Sequence, residues 1–252
     1  MGLGVRRLVR LDVFFGHAEI TPGRVVAVID VLRASTTIAV ALANGARAII
    51  PFESSEDAAL RAKSFDRSEV RLAGERRMQR VSGFDLGNSP SEFTPQAVDG
   101  KTILFATTNG TPALVKTVGA RDVVVAAFVN FTAVTALLRS ALRGGTDVAI
   151  ICAGHDGEFS LEDAACAGRY VRWVTKALAG VDLNDAAYAS ALIDRRYKDD
   201  RARVFADSTH GRALAEAGFG ADLVLAADLD RYPVVPLYRD RQITRLGPDR
   251  ER

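Results

Sequence analysis

The chain has 252 residues, of which 48% are hydrophobic and 25% charged, so it can bury a large globular core. Its 33 basic and 31 acidic side chains nearly cancel, which leaves no electrostatic footprint for nucleic acid or an anionic membrane. No apolar run approaches the roughly 18 residues of a membrane span, and Arg6, Arg7 and Arg10 stand where a signal peptide would place its apolar core. We expect a cytoplasmic protein with no nucleic-acid or membrane partner.

Short apolar runs alternate with helical patterns along the chain. The predicted strands are Val25–Val31, Ala46–Phe52, Val70–Ala73, Thr102–Ala106, Val123–Ala127, Val148–Cys152 and Leu223–Ala226. The predicted helices are Thr36–Ala43, Ser55–Phe65, Pro112–Val118, Thr132–Arg143, Leu161–Leu178 and Asn184–Arg195. This alternation indicates an α/β fold with βαβ units and a largely parallel sheet covered on both faces.

We expect a single domain over residues 1–252. Residues 28–52 and 104–128 share the order strand, hydroxyl residues, helix, strand. This weak similarity is compatible with two related βαβ halves and equally with chance, because any α/β protein contains similar units.

The first candidate site follows the predicted strand at Val25. Asp30, Arg33, Ser35 and Thr36 stand where this apolar strand gives way to a helix. Ligands of α/β folds bind beyond the carboxyl ends of the strands, and an acid, a base and hydroxyls there could hold a metal and a phosphate. Helix capping by Asp30 with an ion pair to Arg33 explains the same pattern.

Two further polar groups follow predicted strands. Glu75 and Arg76 come directly after Val70–Ala73, and Asn88 lies in the irregular segment 74–95. An arginine and an amide there could bind an anionic oxygen, although a surface ion pair and a turn account for them as well. Thr108-Asn109-Gly110 precedes a helix, whose free amides either bind an anion or are simply capped.

Glu162 and Asp163 open the long predicted helix after Val148–Cys152. Two carboxylates suit the positive end of a helix dipole, so capping alone could explain them. Mg²⁺ prefers oxygen ligands, commonly one or two carboxylates with water and substrate phosphate. Asp30 together with Glu162 and Asp163 would provide such a set if the strand ends converge.

Several familiar chemistries are absent from the sequence. It contains no P-loop, no G-x-S-x-G nucleophile elbow and no H-E-x-x-H metal motif, and neither cysteine has the arginine spacing of a cysteine-dependent phosphatase. Leu32 stands two residues after Asp30, where the common aspartyl-phosphatase signature has a second Asp. The remaining candidates are carboxylates, arginines, amides and hydroxyls.

The ordered set of these motifs resembles the 2-phosphosulfolactate phosphatase (ComB) family over roughly residues 25–230. The motifs that carry the resemblance are Asp30-Val-Leu-Arg-Ala-Ser-Thr-Thr37, Gly74-Glu-Arg76, Gly83-Phe-Asp-Leu-Gly-Asn-Ser-Pro90, Thr107-Thr-Asn-Gly-Thr111 and Leu161-Glu-Asp163 with Cys166-Ala-Gly168. Asp185, the segment 208–214 and Asp222 match more weakly. Arg77-Met78-Gln79 departs from the glycine that the family often has there.

The resemblance implies a ComB-like three-layer α/β/α fold with a mostly parallel or mixed sheet. It implies a Mg²⁺-dependent phosphatase that converts 2-phosphosulfolactate to 3-sulfolactate and phosphate, a step of coenzyme M biosynthesis, and it makes a homodimer reasonable. Relatives occur in bacteria not expected to make that coenzyme. Another small phosphorylated acid is therefore the alternative substrate, and a non-catalytic anion-binding protein the more distant alternative.

Within that expectation the candidate residues take the following roles. Asp30 is either the nucleophile or a Mg²⁺ ligand. Arg33 and Arg76 bind the anionic groups, Asn109 with the Thr108 and Gly110 amides forms an anion pocket, and Ser35, Thr36 and Asn88 bind substrate. Glu75, Glu162 and Asp163 compete for the remaining metal and acid–base roles.

Overall fold

Eleven strands form one mixed sheet in the computed structural model, which describes residues 8–16 and 21–247. Arg6 and Arg7, two of the three arginines cited above against a signal peptide, lie outside the described residues. The strands are β1 (Val9–Phe14), β2 (Val25–Ile29), β3 (Ala48–Phe52), β4 (Val70–Arg76), β5 (Gln79–Arg80), β6 (Thr102–Ala106), β7 (Asp122–Ala126), β8 (Val148–Cys152), β9 (Val181–Leu183), β10 (Pro236–Arg239) and β11 (Gln242–Arg245).

The sheet consists of two parallel blocks joined by a hairpin. Its strand order is β5-β4-β6-β3-β11-β10-β7-β2-β8-β1-β9. Pairing is parallel among β4, β6 and β3 and among β7, β2, β8, β1 and β9. The hairpin of β10 and β11 pairs antiparallel with β7 on one side and β3 on the other. The mostly parallel, mixed sheet expected from the sequence is therefore confirmed.

Helices cover both faces of this sheet. They are α1 (Ala34–Ala43), α2 (Ser55–Ala62), α3 (Pro95–Val98), α4 (Gly110–Val115), α5 (Phe131–Arg143), α6 (Leu161–Thr175), α7 (Asp185–Tyr197), α8 (Arg201–Asp207), α9 (Thr209–Glu216) and α10 (Gly220–Ala226). None of the helices in the described part of the chain is long and apolar enough to cross a membrane.

The pleat of β2 shows how the layers form. Val25, Ala27 and Ile29 pack in the same apolar cluster as residues of α5 and α6. Val26 and Val28 point the other way and pack with α1 and α4. A strand buried on both faces reads as an uninterrupted apolar run, and this is why the sequence predicted β2 correctly. The arrangement confirms the three-layer α/β/α class.

Helix α1 brings the two blocks of the sheet together. It is buried from Ala34 to Leu42, and residues of both blocks join its apolar cluster, including Val28 from β2 and Ile103 from β6. An α-helix that is apolar on all sides belongs in the interior of a protein. Because both blocks pack on the same helix, polar residues that follow β2 and β6 can meet.

One predicted element is wrong. Leu223–Ala226, predicted as a strand, is the end of helix α10. A short apolar run fits a buried strand and a helix equally well, and periodicity alone cannot separate them. The solvent exposure of the side chains fits a helix, since Asp222 and Ala226, four residues apart, are buried whereas Val224 between them is 75% exposed.

Other elements differ from the prediction in extent. Strand β4 continues through Arg76, so Glu75 and Arg76 lie in the strand and not after it. The sequence prediction also missed β1, β9 and the hairpin of β10 and β11, whose strands are short or carry charged residues.

Candidate active site

A polar cavity of about 460 Å³ opens where the two blocks meet. Its wall is formed by segments that follow β2, β4, β6 and β8, with one residue from α9. The lining residues are Asp30, Leu32, Arg33, Glu75, Arg76, Arg77, Met78, Asn88, Thr107, Thr108, Asn109, His155, Asp156 and His210. The structure thus brings together seven of the predicted site residues: Asp30, Arg33, Glu75, Arg76, Asn88, Thr108 and Asn109.

Asp30 is buried at the floor of this cavity. Its backbone N–H donates to Ser35 Oγ at 2.9 Å, and its Oδ1 accepts the N–H of Ala34 at 3.3 Å. Burial raises the pKa of Asp30 to about 6, with His210 and the Ala34 N–H opposing the shift and Glu75 adding to it. A carboxyl group with a pKa so close to neutrality is typical of functional sites.

Gly110 makes room for the Asp30 carboxylate. It is the first residue of α4, and a Cβ there would lie 2.6 Å from Asp30 Oδ2 and 2.6 Å from Ala34 Cβ. A methyl group cannot fit at such distances without displacing Asp30. The role of Gly110 is therefore steric, and it does not line the cavity.

Ser35 and Thr36 lie behind the cavity wall. Thr36 Oγ1 donates to the carbonyl of Val31 at 2.8 Å, and Ser35 Oγ accepts the Asp30 N–H. Both side chains are buried, and neither lines the cavity. Their hydroxyl groups hold the turn between β2 and α1, and this positions Asp30.

Both carboxylate oxygens of Glu75 are occupied by protein donors. Oε1 accepts the N–H and the hydroxyl of Thr108 at 2.8 and 2.9 Å, and Oε2 accepts the N–H of Met78 at 3.0 Å. Glu75 therefore ties β4 to the segment after β6. In that segment Asn109 Oδ1 accepts the N–H of Asp156 at 3.2 Å.

Arg33 is a buried guanidinium with fixed partners. It donates to Asp222 Oδ2 at 3.0 Å and to the carbonyl of Met78 at 2.9 Å. The ring of Phe219 lies against the guanidinium carbon, with its centroid 4.2 Å away. A cation held in this way contributes a positive potential at a fixed place, as an anion-binding site requires.

Asn88 is the one predicted residue with a buried, unpartnered oxygen. Its Oδ1 has no hydrogen-bond partner among the described residues, although the side chain lines the cavity and is buried. A buried polar atom without a partner is costly. A bound molecule with a polar group would satisfy it.

Glu162 does not itself line the cavity, but it contacts His210, which lines it together with His155. Glu162 Oε1 lies 3.4 Å from Nδ1 of His210, whose ring stacks on that of His155 with centroids 4.1 Å apart. Burial alone would raise the pKa of Glu162, but hydrogen bonds from His210, the backbone and Ser160 hold it below the ordinary value. Burial and His210 lower the pKa of His155.

Asp163 connects two loops through hydrogen bonds. Its Oδ1 accepts the N–H of Val31 at 2.9 Å, and its Oδ2 accepts the N–H of Gly154 at 3.2 Å. Burial, Asp30 and Glu162 raise its pKa well above the ordinary value. Asp163 does not line the cavity, and both of its oxygens are engaged.

The three predicted metal ligands do not converge as a set of free carboxylates. Within residues 8–16 and 21–247, no three His, Cys, Asp or Glu side chains are arranged to hold a metal ion. Any metal at this cavity would have few protein ligands, with substrate and water supplying the others.

Comparison with known proteins identifies the family. A family model described as 2-phosphosulpholactate phosphatase matches residues 16–241, which include every element around the cavity. The chain belongs to the 2-phosphosulpholactate phosphatase family. This membership confirms the resemblance drawn from the motifs and the predicted enzyme class, a phosphoric monoester hydrolase.

Curated members of the 2-phosphosulpholactate phosphatase family align along most of the chain. A protein of Caldanaerobacter subterraneus subsp. tengcongensis is 39% identical over 84% of this chain and 86% of its own length. One of Symbiobacterium thermophilum is 40% identical over 91% and 97%, and one of a Synechococcus strain is 42% identical over 82% and 86%. Each of the three is named a probable 2-phosphosulfolactate phosphatase.

The sequence prediction overlooked two histidines of the candidate site. His155 and His210 line the cavity but were not among the predicted site residues, although His210 lies in the segment 208–214 that matches the family weakly. Asp222, which holds Arg33, was also left out. The only signal for these residues was the order of the motifs, since no local pattern places residue 210 beside residue 30.

Proposed function

We propose that this protein is a phosphatase that hydrolyses 2-phosphosulfolactate to 3-sulfolactate and inorganic phosphate. The observation that carries the proposal is Asp30, a buried carboxylate with a pKa of about 6 at the floor of a cavity lined by arginine and histidine side chains. The substrate carries phosphate, carboxylate and sulfonate groups, and a cavity of this size with three arginines in its wall suits such a small polyanion.

The residues divide into two working groups under this proposal. Arg33, fixed by Asp222, stabilises the negative charge that spreads over the transferring phosphoryl group. Asn88 and Asn109 contribute polar contacts from two separate segments of the cavity wall. His210, with Glu162 at its Nδ1, can deliver a proton to the departing oxygen of the substrate. The P–O ester bond breaks, and water supplies the new oxygen of phosphate.

Asp30 has two compatible roles. As a nucleophile it would attack phosphorus and form an aspartyl phosphate that water then cleaves. As a ligand it would position a metal, and water would attack directly. A substrate whose phosphorus is made chiral with oxygen isotopes separates the two roles, because two successive displacements through an aspartyl phosphate retain the configuration at phosphorus whereas direct attack by water inverts it.

Magnesium dependence is part of the proposal. Asp30 Oδ2 accepts no hydrogen bond from the described residues, and Glu162 lies close enough to Asp30 to influence its pKa. Two nearby carboxylates are a donor set that Mg²⁺ accepts, provided that phosphate and water complete the shell. The ion would neutralise charge on the phosphoryl group. Asp163 is excluded from this set because both of its oxygens are engaged.

The test is phosphate release from a panel of phosphorylated small acids, with Mg²⁺ and with a chelator. We expect the highest kcat/KM with 2-phosphosulfolactate and a loss of turnover in the chelator. A higher kcat/KM with another phosphorylated acid would show that the enzyme has a different substrate but catalyses the same type of reaction. Binding of phosphate esters without turnover would identify a non-catalytic anion-binding protein instead.

The proposal also includes the cytoplasmic location expected from the sequence and the homodimer that the family resemblance makes reasonable. Light scattering after size-exclusion chromatography gives the mass of the particle directly. A mass near 27 kDa would contradict the homodimer, since one chain is 27.0 kDa.

A further inference from the structure

The arginines that line the cavity differ in how fully they are bonded. Arg33 donates to Asp222 and to the carbonyl of Met78, and Arg76 donates to the carbonyls of Glu75 and Glu53. Arg77 forms no hydrogen bond and no ion pair with any residue that the structure describes. It is exposed, whereas Arg33 is only 4% exposed. Arg77 therefore has a free guanidinium at the rim of the cavity.

The backbone holds Arg77 in a conformation that its sequence does not favour. Arg77 and Met78 connect β4 to β5 as a two-residue hairpin turn, and both have positive φ, 50° and 68°. Such turns favour Asn and Gly, because a Cβ makes positive φ costly. The hairpin therefore fixes the backbone of Arg77 against its local preference.

The contacts that fix this turn come from the site itself. Glu75 Oε2 accepts the Met78 N–H at 3.0 Å, and Arg33 donates to the Met78 carbonyl at 2.9 Å. The strand pairs Glu75 with Arg80 and Arg76 with Gln79 close the hairpin. The Cα of Arg77 is thereby held in place relative to the buried Arg33, and only its side chain is free to move.

We propose that Arg77 is a specificity-determining residue that binds an acidic group of the substrate other than the phosphate. The proposal rests on the proposed phosphatase function. The phosphate occupies the buried floor beside Asp30 and Arg33, and a carboxylate or sulfonate on the same small molecule extends to the rim. The guanidinium fork suits planar carboxylates and binds sulfonate oxygens as well. Arg77 loses no existing partner when it binds.

The first test compares two substrates that differ only in the acidic group. In 2-phospholactate a carboxylate replaces one methyl group of isopropyl phosphate. We expect Arg77→Asn to reduce the kcat/KM preference for 2-phospholactate over isopropyl phosphate by at least about fivefold, mainly through KM. Asparagine tolerates positive φ, so the turn is retained. A smaller change in the preference, or an equal loss with both substrates, overturns the proposal.

Two variants control this comparison. Arg77→Lys keeps the positive charge and should recover part of the preference. Arg241→Asn removes an exposed arginine at the other non-glycine hairpin turn, where φ is 61°, and Arg241 does not line the cavity. The Arg241→Asn variant should retain the preference of the parent protein for 2-phospholactate over isopropyl phosphate. If Arg241→Asn lowers the preference as much as Arg77→Asn, the effect is one of overall charge and the proposal is wrong.

A binding measurement separates this inference from the proposed function. Calorimetric titration with 3-sulfolactate and with inorganic phosphate needs no turnover. We expect Arg77→Asn to weaken the binding of 3-sulfolactate by at least about fivefold more than the binding of phosphate. Failure of the parent to release phosphate would contradict the proposed function alone. Failure of the parent to bind 3-sulfolactate, or an equal effect on both ligands, would overturn the role of Arg77.

Discussion

Glu162 Oε1 lies 3.4 Å from Nδ1 of His210, which lines the same cavity as Asp30. A carboxylate at Nδ1 fixes the orientation of an imidazole ring. His210 is in this way the side chain best placed to exchange a proton with a bound substrate.

Replacement of His210 should therefore slow the chemical step. We expect His210→Gln to lower kcat on the order of 10²-fold and Glu162→Gln by roughly tenfold, because general acid catalysis needs both the proton and its orientation. His155→Gln, which removes the stacked ring but not the pair, should cost less than His210→Gln. Steady-state kinetics measure all three, and a kcat for His210→Gln close to the parent value would rule the pair out as a proton donor.

The activity should have an acidic limb near pH 6. Burial raises the pKa of Asp30 to about 6, and both roles considered for Asp30 need the ionised carboxylate. We expect kcat/KM to fall as the pH decreases through this value, since that parameter reports ionisation of the free enzyme. The substrate phosphate also titrates near pH 6, so its pKa is measured separately by phosphorus NMR. A profile that is flat from about pH 5 to 8 would contradict the assignment.

The same pKa predicts that Asp30 costs stability. A carboxyl group whose folded-state pKa is raised from 3.8 binds its proton more tightly when folded, so its favourable contribution is lost as the pH rises to about 6. We expect Asp30→Asn to abolish turnover while it raises the free energy of unfolding by on the order of 1–3 kcal/mol at about pH 7.5. Near pH 4 the difference should shrink towards zero.

Glu162→Gln is the control for this stability prediction. The pKa of Glu162 is lowered, so its carboxylate stabilises the folded state at neutral pH and the variant should be less stable there. Urea denaturation at the two pH values measures both variants. A decrease in stability for Asp30→Asn at neutral pH would show that the Asp30 carboxylate is favourably held and that the pKa is not raised.

A methyl group at Gly110 should damage the site directly. Since the added Cβ would lie 2.6 Å from Asp30 Oδ2, we expect Gly110→Ala to lower kcat at least tenfold and the free energy of unfolding by about 1–3 kcal/mol. Gly220→Ala is the matched control: Gly220 is the first residue of α10, and nothing lies within 4 Å of an added Cβ. Equal kinetics for the two variants would contradict the steric role.

The sequence was most informative where one physical cause dominates. The uninterrupted apolar run from Val25 to Ile29 is rich in β-branched residues and favours a buried strand, so β2 and the polar residues after it were predicted. The run at Leu223 lacks such a constraint, and the prediction there was wrong. Strand β1 was missed because Asp12 interrupts it, and this buried aspartate is neutralised by Arg24 at 2.6 Å, a partner that local sequence does not indicate.

The candidate site was partly predictable for a related reason. Residues that follow strands, such as Asp30 and Asn109, are visible from the alternation of elements. The sequence does not show which of these residues line the cavity and which only hold the backbone in place. Ser35 and Asp163 belong to the second group, and only their hydrogen bonds in the structure reveal it. His210 was missed for want of any local signal, since helix α9 reaches the cavity only through tertiary packing.

The position of the β10–β11 hairpin has a consequence for how the protein becomes active. These strands are the last elements described, yet they lie in the middle of the sheet, between β3 and β7. The cavity draws on both blocks, and the hairpin completes the sheet between them. Because sequence-distant pairings form late and slowly, we expect the nascent chain to remain inactive and prone to aggregation until β10 and β11 have left the ribosome.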